Sequence, residues 1–441
     1  MKKKLLATLL TATLAFGLFA GCGGSAPAGG DAPAGGDAPA ATGDAPAADG
    51  EVQEITWMFW DDLEATEDLI SKGYKEVIDR FNEQYADQYH VTPITTNLEE
   101  YYPKLNALVA SQETPDVFIV SPGANLNDYA LTGVTMPLND ALADGWKDTF
   151  NSDAVFQPMT YGDDIMAVPL NIAAACCFYN VDMFEKAGAK VPTNWAEMLD
   201  ACEKLQAAGY TPITISAGTA WCLSMVGGYL CESKGVDLAA LADGSASWTD
   251  GKAEAAATDL VELSKYFQPT AAGDTNDVAT ANFYNEEAAI LIQGSWAIGQ
   301  INGENPDFAP RCGVFQFPGV QRVIAKSDSL AVSANTQHKD ACIALLKMFT
   351  DDAAQKYTAE VGGKIPVTKV EYDAAVAPAQ LKYVMEVFGG ATGTFGFYNE
   401  SLPSSEAGSF FDDTLVSVFL GDSTPAEFAQ EMEDYYAANC R

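Results

Sequence analysis

Trp296 lies directly after an apolar segment whose pattern predicts a strand followed by a helix. The run AILIQ, residues 289–293, is typical of a buried strand and ends at a glycine. Ser295 is a suitable N-cap for a helix that would begin at Trp296. Because open α/β sheets bind ligands at the carboxyl ends of their strands, this indole ring is a candidate binding platform. A purely structural role in the core stays open, since a single tryptophan is more often buried.

Trp60 and Asp61 form a second candidate site, because they follow the strand that is predicted to begin at Ile55. Their position at the carboxyl end of a strand again favours ligand binding. Adjacent acids also occur at 163–164, 351–352 and 412–413. In a chain with 61 Asp and Glu residues such pairs are expected by chance, and we interpret most of them as solvated.

The sequence contains no motif that predicts catalysis. His90 and His338 are its 2 histidines, and both lie in polar surroundings typical of solvated side chains. It has no HExxH, no nucleophile elbow, no phosphate-binding loop and no GxGxxG. Its 9 cysteines include no CxxC pair and no cluster with histidine at metal-ligand spacing. We therefore predict a protein that is not an enzyme and that uses neither a metal nor a cofactor.

Composition limits the possible partners. With 441 residues and 48% hydrophobic side chains, the chain can form two or three domains with sizeable cores. Asp and Glu total 61 against 24 Lys and Arg, which gives a formal net charge of -37. So acidic a surface repels nucleic-acid phosphates and anionic lipid headgroups. We predict no nucleic-acid partner.

The N-terminus has the pattern of an export signal. Lysines at positions 2–4 precede the apolar run 5–20, which is shorter than the ~20 residues of a membrane-spanning helix. Residues 19–22, Phe-Ala-Gly-Cys, are similar to the lipobox of bacterial lipoproteins. We predict that residues 1–21 are removed and that Cys22 is lipidated at the outer face of the cell membrane. Secretion with a free thiol is the alternative. Residues 22–54, rich in Gly, Ala, Pro and Asp, are predicted to form a disordered linker.

The remaining sequence alternates strand and helix patterns. Short β-rich runs such as 55–60 and 116–121 are followed by segments with apolar residues at helical spacing. This alternation predicts a mostly parallel sheet covered by helices on both faces. Capping patterns predict helix starts after Asn194, with Glu197, and after Thr424, with Glu427.

Taken in order, these segments resemble the extracellular solute-binding proteins of ABC importers, specifically the group that binds sugars. The resemblance runs from about Ile55 to the C-terminus, and its motifs include ITWMFW, YYPKLNALVASQETPDVFIV, AVPLNIAAACCFYNVDMFEKAG, VPTNWAEMLDACEKLQAAGYTPI, FYNEEAAILIQGSWAIGQI, GVFQFPG and LAVSANTQHKDACIALLKMFTDDAAQKYTAEVGGKIPV.

The resemblance implies an α/β fold of two discontinuous lobes with a ligand cleft between them. Lobe one would contain residues 55–170 plus 320–360, and lobe two would contain 171–319 plus 361–441. The chain would cross between the lobes near Asn171, near Phe317 and around 362–366.

The resemblance also implies a set of ligand contacts. Pyranose rings stack their C–H faces on aromatic rings, and their hydroxyls need fixed hydrogen-bond partners. The implied contacts are Trp60, Asp61, Ser121, Asn171, Trp221, Trp296, Lys364 and Tyr398. In the loop that contains Tyr398, Phe397 is an alternative contact.

The function implied by this resemblance is capture of a carbohydrate outside the cell and its delivery to the transmembrane subunits of an ABC permease. The protein would act as a monomer, held to the membrane by its lipid anchor. Three alternatives stay open from the sequence: a binding protein for a polyamine, peptide or polyol, a surface receptor without transport, and a secreted hydrolase with a positioned pair of acids.

Overall fold

The computed structural model describes residues 52–64 and 68–440, and residues 51–441 form one compact unit. The predicted signal peptide, Cys22 and all of the predicted linker up to residue 51 lie outside the described residues. The first strand begins at Gln53, two residues before the predicted start at Ile55. Within the described ranges, no helix is both long and apolar enough to cross a membrane.

The strands are short. They are β1 (Gln53–Phe59), β2 (Tyr89–Thr95), β3 (Val117–Val120), β4 (Thr160–Tyr161), β5 (Asp164–Ile165), β6 (Val168–Pro169), β7 (Ala173–Asn180), β8 (Thr211–Thr214), β9 (Ala288–Gly294), β10 (Cys312–Phe315), β11 (Val323–Lys326), β12 (Ser329–Val332) and β13 (Thr394–Phe395).

Helices occupy most of the sequence between the strands. They are α1 (Leu69–Gln84), α2 (Leu98–Ala110), α3 (Ala124–Ala130), α4 (Asn139–Leu142), α5 (Val181–Ala187), α6 (Trp195–Ala207), α7 (Ala220–Lys234), α8 (Leu238–Ala242), α9 (Lys252–Leu263), α10 (Asn276–Tyr284), α11 (Ala297–Glu304), α12 (Lys339–Phe349), α13 (Asp352–Glu360), α14 (Ala379–Gly390), α15 (Tyr398–Ser401), α16 (Ser405–Leu420) and α17 (Pro425–Asn439). Short 3₁₀ turns span Lys147–Thr149, Asp153–Met159, Ser264–Tyr266 and Ala309–Arg311.

The predicted helix starts are confirmed at α6 and α17. The Asn194 side chain accepts a hydrogen bond from the backbone N–H of Glu197 at the start of α6. Thr424 and Glu427 form a reciprocal capping box at the start of α17. These bonds satisfy backbone donors that the first helical turn leaves unpaired.

A five-stranded sheet has the order β2-β1-β3-β12-β6. β1 pairs parallel with β2 and β3, whereas β12 runs antiparallel to β3 and β6. Its core includes the fully buried Trp57, Phe81 and Phe118. We call this sheet, its core and the helices packed on that core the first half of the molecule.

A second sheet has the order β13-β11-β7-β9-β8, and β10 also pairs with β7. The prediction of a mostly parallel sheet is wrong here, because β7 runs antiparallel to β9, β10 and β11. Side chains of β7 alternate between two cores, so that Cys177 lies in one and Cys176 in the other. We call this sheet, with those two cores, the second half.

The chain passes between the halves at three places. It leaves β6 for β7 through residues 170–172, and it leaves β11 for β12 through residues 327–328. The third passage follows α13, where Ile365 pairs with Ile172. The second passage therefore comes after Lys326 rather than near Phe317, since β11 hydrogen-bonds to β7 of the second half.

Buried polar groups join these passages. Lys364 Nζ lies 2.9 Å from Asp328 Oδ2, and the two side chains are only 6% and 11% exposed. Asn171 Nδ2 donates to the same oxygen at 3.1 Å and to the Tyr74 hydroxyl at 2.9 Å. Although burial alone would raise it, Lys364 and Lys326 hold the pKa of Asp328 below its ordinary value. Asn171, Asp328 and Lys364 come from the first, second and third passage. One ion pair and one amide hydrogen bond therefore connect all three passages.

Backbone hydrogen bonds reinforce the same junction. The N–H of Leu170 donates to the carbonyl of Asp328 at 2.7 Å. Ile172 and Ile365 exchange both backbone hydrogen bonds, at 2.8 and 3.1 Å. The Ser327 hydroxyl donates to the carbonyl of Asn171 at 2.7 Å. We call this set of contacts the hinge junction.

Replacement of Asp328 by Ala is expected to lower the free energy of unfolding by about 3–5 kcal/mol, because the Lys364 ammonium is left buried without its partner. Urea unfolding followed by circular dichroism measures this loss. The double variant Asp328→Leu with Lys364→Met removes both charges and should recover much of the stability.

Asp144→Ala is the matched control, since Asp144 forms an ion pair of 2.6 Å with Lys347 at the surface, where the side chains are 54% and 38% exposed. Its effect should be much smaller, because solvent screens exposed ion pairs. Equal losses in the two single variants would contradict the role given to the hinge junction.

Candidate functional site

A cavity of about 710 Å³ lies between the two halves, beside the hinge junction. Asp328 and Lys364 of the junction line it. The first half contributes side chains at the ends of β1 and β3 and along α2, and the second half contributes side chains of α11 and α16 and residues near them. This cavity contains six of the eight predicted ligand contacts: Trp60, Asp61, Ser121, Trp221, Trp296 and Lys364.

Three aromatic rings form one wall of the cavity. The ring centres of Trp221 and Trp296 are 5.8 Å apart, and each lies about as close to Phe397, at 6.2 and 6.0 Å. All three rings line the cavity. We call this set the aromatic wall. Such clustered rings hold one another in place and present apolar faces to a ligand.

The turn after β9 positions Trp296. Gly294 permits the turn, because a Cβ atom there would collide with the indole ring of Trp296. Ser295 is not the N-cap that the sequence predicts, since its hydroxyl accepts a hydrogen bond from the N–H of Ala174 and so extends the pairing with β7. From this turn, Trp296, Gln300 and Glu304 line the cavity at intervals of one helical turn.

Trp60 lies at the carboxyl end of β1, as predicted, with its ring 5.4 Å from that of Tyr101. The ammonium group of Lys326 lies 5.8 Å from the Trp60 ring and 5.7 Å from the Phe397 ring. It also forms an ion pair of 3.3 Å with Glu400. Lys326 therefore links an aromatic ring of the first half to the aromatic wall of the second.

Acids greatly outnumber cations around the cavity. The acidic residues that line it are Asp61, Asp68, Glu99, Asp277, Glu304, Asp328, Glu400 and Asp412, and the basic ones are Lys326 and Lys364. Both lysines are already paired, Lys364 with Asp328 and Lys326 with Glu400. The part of the lining that the structure describes contains no arginine. An anionic ligand would therefore meet carboxylates without a free cation.

Burial raises the pKa of several acids that line the cavity, and neighbouring carboxylates add to the effect. Burial raises the pKa of Asp277, and the nearby carboxylates of Glu99 and Asp61 raise it further. Burial likewise raises the pKa of Asp68, an effect that Lys364 partly offsets. Both groups therefore accept a proton more readily than ordinary aspartates.

One face of α16 also lines the cavity, although no sequence pattern predicted it. Ser405, Gly408, Ser409 and Asp412 line the cavity at helical positions i, i+3, i+4 and i+7. This spacing places all four on one side of the helix, but the sequence pattern is the same as that of a polar stripe that faces solvent.

Asp412 belongs to an acidic pair that the sequence suggested was solvated, and that interpretation is wrong for this residue. Burial raises the pKa of Asp412 to about 7, and the carboxylates of Asp413 and Glu400 add to the shift. Asn399 donates a hydrogen bond of 3.0 Å to Oδ2. The buried Ser224 hydroxyl beside this carboxyl, together with Asn399, offsets part of the shift.

Two predicted contacts, Asn171 and Tyr398, are absent from the cavity lining. Asn171 is fully buried and belongs to the hinge junction. Tyr398 is 3% exposed, its hydroxyl donates to the carbonyl of Val236, and its ring packs on Phe411. The neighbouring Phe397 lines the cavity instead, because α15 begins between the two residues and directs Tyr398 into the core.

The two halves also touch around the cavity. The Thr219 hydroxyl donates to Glu99 at 3.0 Å, and the Ser405 hydroxyl donates to Asp128. Gly123, with φ of 82°, lies so close to the carbonyl of Glu400 that a Cβ atom would collide with it. These contacts connect α2 and α3 of the first half to the second half and enclose the space between them.

Metal ligation has no support in the described part of the chain, where no group of three or more His, Cys, Asp or Glu side chains could hold an ion. In that part, the seven cysteines from Cys176 to Cys342 are buried free thiols. Burial raises their thiol pKa values, for example to about 12 at Cys231, so they act as small apolar residues.

Comparison with known proteins places this geometry in a family. Residues 76–382 match the model of the bacterial extracellular solute-binding proteins. The chain belongs to this family, as the resemblance in its sequence predicted. It is 25% identical over 334 residues to the multiple sugar-binding protein of Streptococcus mutans, covering 69% of this chain and 78% of that one. It is 24% identical over 336 residues to the sn-glycerol-3-phosphate-binding periplasmic protein of Rhizobium meliloti, covering 70% and 74%.

Solved structures show the same fold. A chitin oligosaccharide binding protein superposes with a TM-score of 0.80 at 22% identity, covering 88% of this chain and 99% of that one. A protein from a study of xylan utilization by Caldanaerobius polysaccharolyticus gives the same TM-score at 23% identity, covering 86% and 99%. The predicted two-lobed α/β fold is confirmed.

Asp412→Asn is expected to raise the melting temperature more at pH 8 than at pH 5, and to have no effect near pH 3. The carboxyl titrates near its ordinary value of 3.8 when unfolded and at about 7 when folded, so its burial costs stability progressively as pH rises between those values. Differential scanning calorimetry across this range measures the effect. A gain that is the same at every pH would contradict it.

Proposed function

We propose that this protein captures a neutral carbohydrate outside the cell and delivers it to the transmembrane subunits of an ABC permease. The observation that carries the proposal is the cavity between the halves, with its aromatic wall beside a dense set of hydrogen-bonding side chains. Its volume, about 710 Å³, lies within the ~300–1,000 Å³ of small-molecule sites.

The lining suits the two chemical faces of a sugar. Trp221, Trp296 and Phe397 offer apolar rings to the C–H faces of a pyranose. Asp61, Asn125 and Ser121 add acceptors and donors for its hydroxyls. The names of the relatives agree with this assignment, since one is a multiple sugar-binding protein and a structural neighbour binds chitin oligosaccharides.

Charge favours a neutral ligand over a phosphorylated one. The relative from Rhizobium meliloti is named for sn-glycerol 3-phosphate, a dianion. Among the described residues that line this cavity, the basic ones are Lys326 and Lys364, and they are engaged by Glu400 and Asp328. A phosphate would have to displace those carboxylates or remain unpaired, and both outcomes cost free energy.

Transport requires that the protein is held at the membrane and that it has an open and a closed state. We infer that Cys22 carries the lipid anchor, that residues 22–52 act as a tether and that the protein works as a monomer. The lobes would be residues 53–169 with 329–360, and 173–326 with most of the C-terminal segment, in accordance with the sheets. A sugar that touches both lobes would stabilise the closed state, which the permease then recognises.

A cationic solute is the second candidate, because the acids that line the cavity outnumber its two lysines. A polyamine or an amino sugar would gain from that imbalance, and Asp277 with its raised pKa would be a natural partner.

A surface receptor without transport has the same binding chemistry, and the presence or absence of permease genes beside this one separates the two functions.

A thermal-shift screen tests the ligand class. The protein from residue 22 onward, with Cys22→Ser, is heated with glucose, maltotriose, xylotriose, raffinose, chitotriose, sn-glycerol 3-phosphate and spermidine. At least one neutral sugar should raise the melting temperature, since ligand at 100 times its Kd adds about 2.7 kcal/mol of stability. Glycerol 3-phosphate should give no shift.

A shift with spermidine alone would favour the cationic candidate. Chromatography of the same mixtures after incubation tests the remaining alternative, because a hydrolase would convert the oligosaccharides to shorter products. Intact oligosaccharides are expected.

Trp296→Ala is expected to weaken binding of the best sugar by about thirtyfold, or about 2 kcal/mol, because the aromatic wall loses a central ring. Isothermal titration calorimetry measures the change. Trp195→Ala is the control, since Trp195 lies outside the cavity with its indole N–H donating to Glu262. Unchanged affinity in Trp296→Ala would remove this residue from the site.

A further inference from the structure

A lysine ammonium lies between aromatic rings of the two halves, at the wall of the cavity. Lys326 Nζ is 5.8 Å from the centre of the Trp60 ring and 5.7 Å from the centre of the Phe397 ring. Glu400 Oε1 lies 3.3 Å from the same nitrogen. All four residues line the cavity. We call Trp60, Phe397 and Glu400 the cation cage.

The cation cage has the composition of a binding site for an ammonium group. Aromatic faces within about 6 Å attract a cation through the ring quadrupole, and the attraction is strongest where water is excluded. A carboxylate adds a charge-assisted hydrogen bond. The Glu400 side chain is only 16% exposed, so solvent screens its pairing weakly. Proteins that take up ammonium ligands from solution use aromatic cages of this kind.

Each part of the cage is held in place by contacts that do not involve the lysine. The Trp60 ring packs against the Tyr101 ring at 5.4 Å. Phe397 belongs to the aromatic wall, whose other two rings lie 6.2 and 6.0 Å away. The backbone N–H of Glu400 donates to Asn399 Oδ1 at 3.0 Å. The cage should therefore persist when the lysine side chain is shortened.

Lys326 fills the cage from a fixed position on the second sheet. It is the last residue of β11, which hydrogen-bonds to β7. Although burial alone would lower it, the carboxylates of Glu400 and Asp328 raise the pKa of Lys326 above its ordinary value. The lysine therefore keeps its charge and holds the place that the ammonium group of a ligand would take.

We propose that the cation cage is an ammonium-binding site that Lys326 fills from within, and that Lys326 thereby selects neutral ligands over cationic ones. A cationic ligand would have to displace an ammonium group that is tethered beside the cage and so has a high effective concentration there. The same ammonium repels a second cation nearby. The inference rests on the proposed function, because it gives a reason why a cavity rich in carboxylates takes a neutral sugar.

Shortening the lysine tests the proposal, because propylammonium has the atoms that Lys326→Ala lacks. Binding of propylammonium chloride is measured by isothermal titration calorimetry at constant ionic strength, with the form of the protein used in the thermal-shift screen. Lys326→Ala should bind it with a Kd on the order of 1 mM, as suits a ligand with about four non-hydrogen atoms. Wild type and Lys326→Arg should not bind it, since their cages are filled.

Two matched ligands and two further variants serve as controls. 1-Propanol and propionate have similar chains without the positive charge, and neither should bind Lys326→Ala. Lys382→Ala should behave as wild type, since Lys382 is 77% exposed on α14. Lys326→Ala combined with Glu400→Gln should bind propylammonium about tenfold more weakly than Lys326→Ala, because the cage loses its carboxylate.

Spermidine tests the consequence for specificity. It should bind Lys326→Ala about tenfold more tightly than wild type, because the emptied cage accepts one of its ammonium groups. An affinity for spermidine that is the same in the two proteins would overturn the role of Lys326 in ligand selection.

Should Lys326→Ala fail to fold, its refolding from urea is repeated with propylammonium or 1-propanol, and propylammonium alone should restore the folded protein. Equal binding of propylammonium by Lys326→Ala and wild type, no recovery with either compound, or recovery that 1-propanol matches would overturn the proposal. These measurements need no sugar. A wild type that binds a neutral sugar, with no gain for cations in Lys326→Ala, would contradict this inference alone, whereas a panel in which no sugar binds would contradict the proposed function.

Discussion

The buried ion pair between Asp328 and Lys364 is the interaction on which the arrangement of the molecule depends. The first sheet packs on one apolar core and the second sheet on two, so hydrophobic burial stabilises the halves largely separately. At the hinge junction, this pair and Asn171 connect the three passages of the chain, and the contacts around the cavity add to the connection between the halves. Buried charges cost free energy unless they are paired. A movement of the passages that separated Asp328 from Lys364 would therefore be opposed by the cost of leaving both charges buried and unpaired.

The cavity follows from that junction. Because the halves meet beside it, the ends of β1 and β3 face α11 and α16, and a lining is assembled from parts far apart in sequence. The pairing of Lys364 with Asp328 and of Lys326 with Glu400 occupies both basic side chains of the lining. The cavity lining therefore keeps many hydrogen-bonding side chains but does not attract anions. A neutral ligand with many hydroxyl groups needs this combination.

Much of the fold could be predicted from local patterns, because strand alternation and helix capping are encoded by neighbouring residues. Trp60 and Trp296 could also be placed in the site, since both follow predicted strands. Phe397 and Tyr398 could not be told apart, because only tertiary packing decides which of two adjacent aromatic rings enters the core. Asp412 was missed for a related reason, as a polar stripe on a helix that lines a cavity has the same sequence pattern as one that faces solvent.

A crystal structure of the complex with the best neutral sugar would show whether a carbohydrate binds between the halves. We expect electron density for the sugar inside the cavity, with a pyranose ring against Trp221 or Trp296. Sugar density outside the cavity, or an occupied cavity in which the ring contacts neither tryptophan, would contradict it.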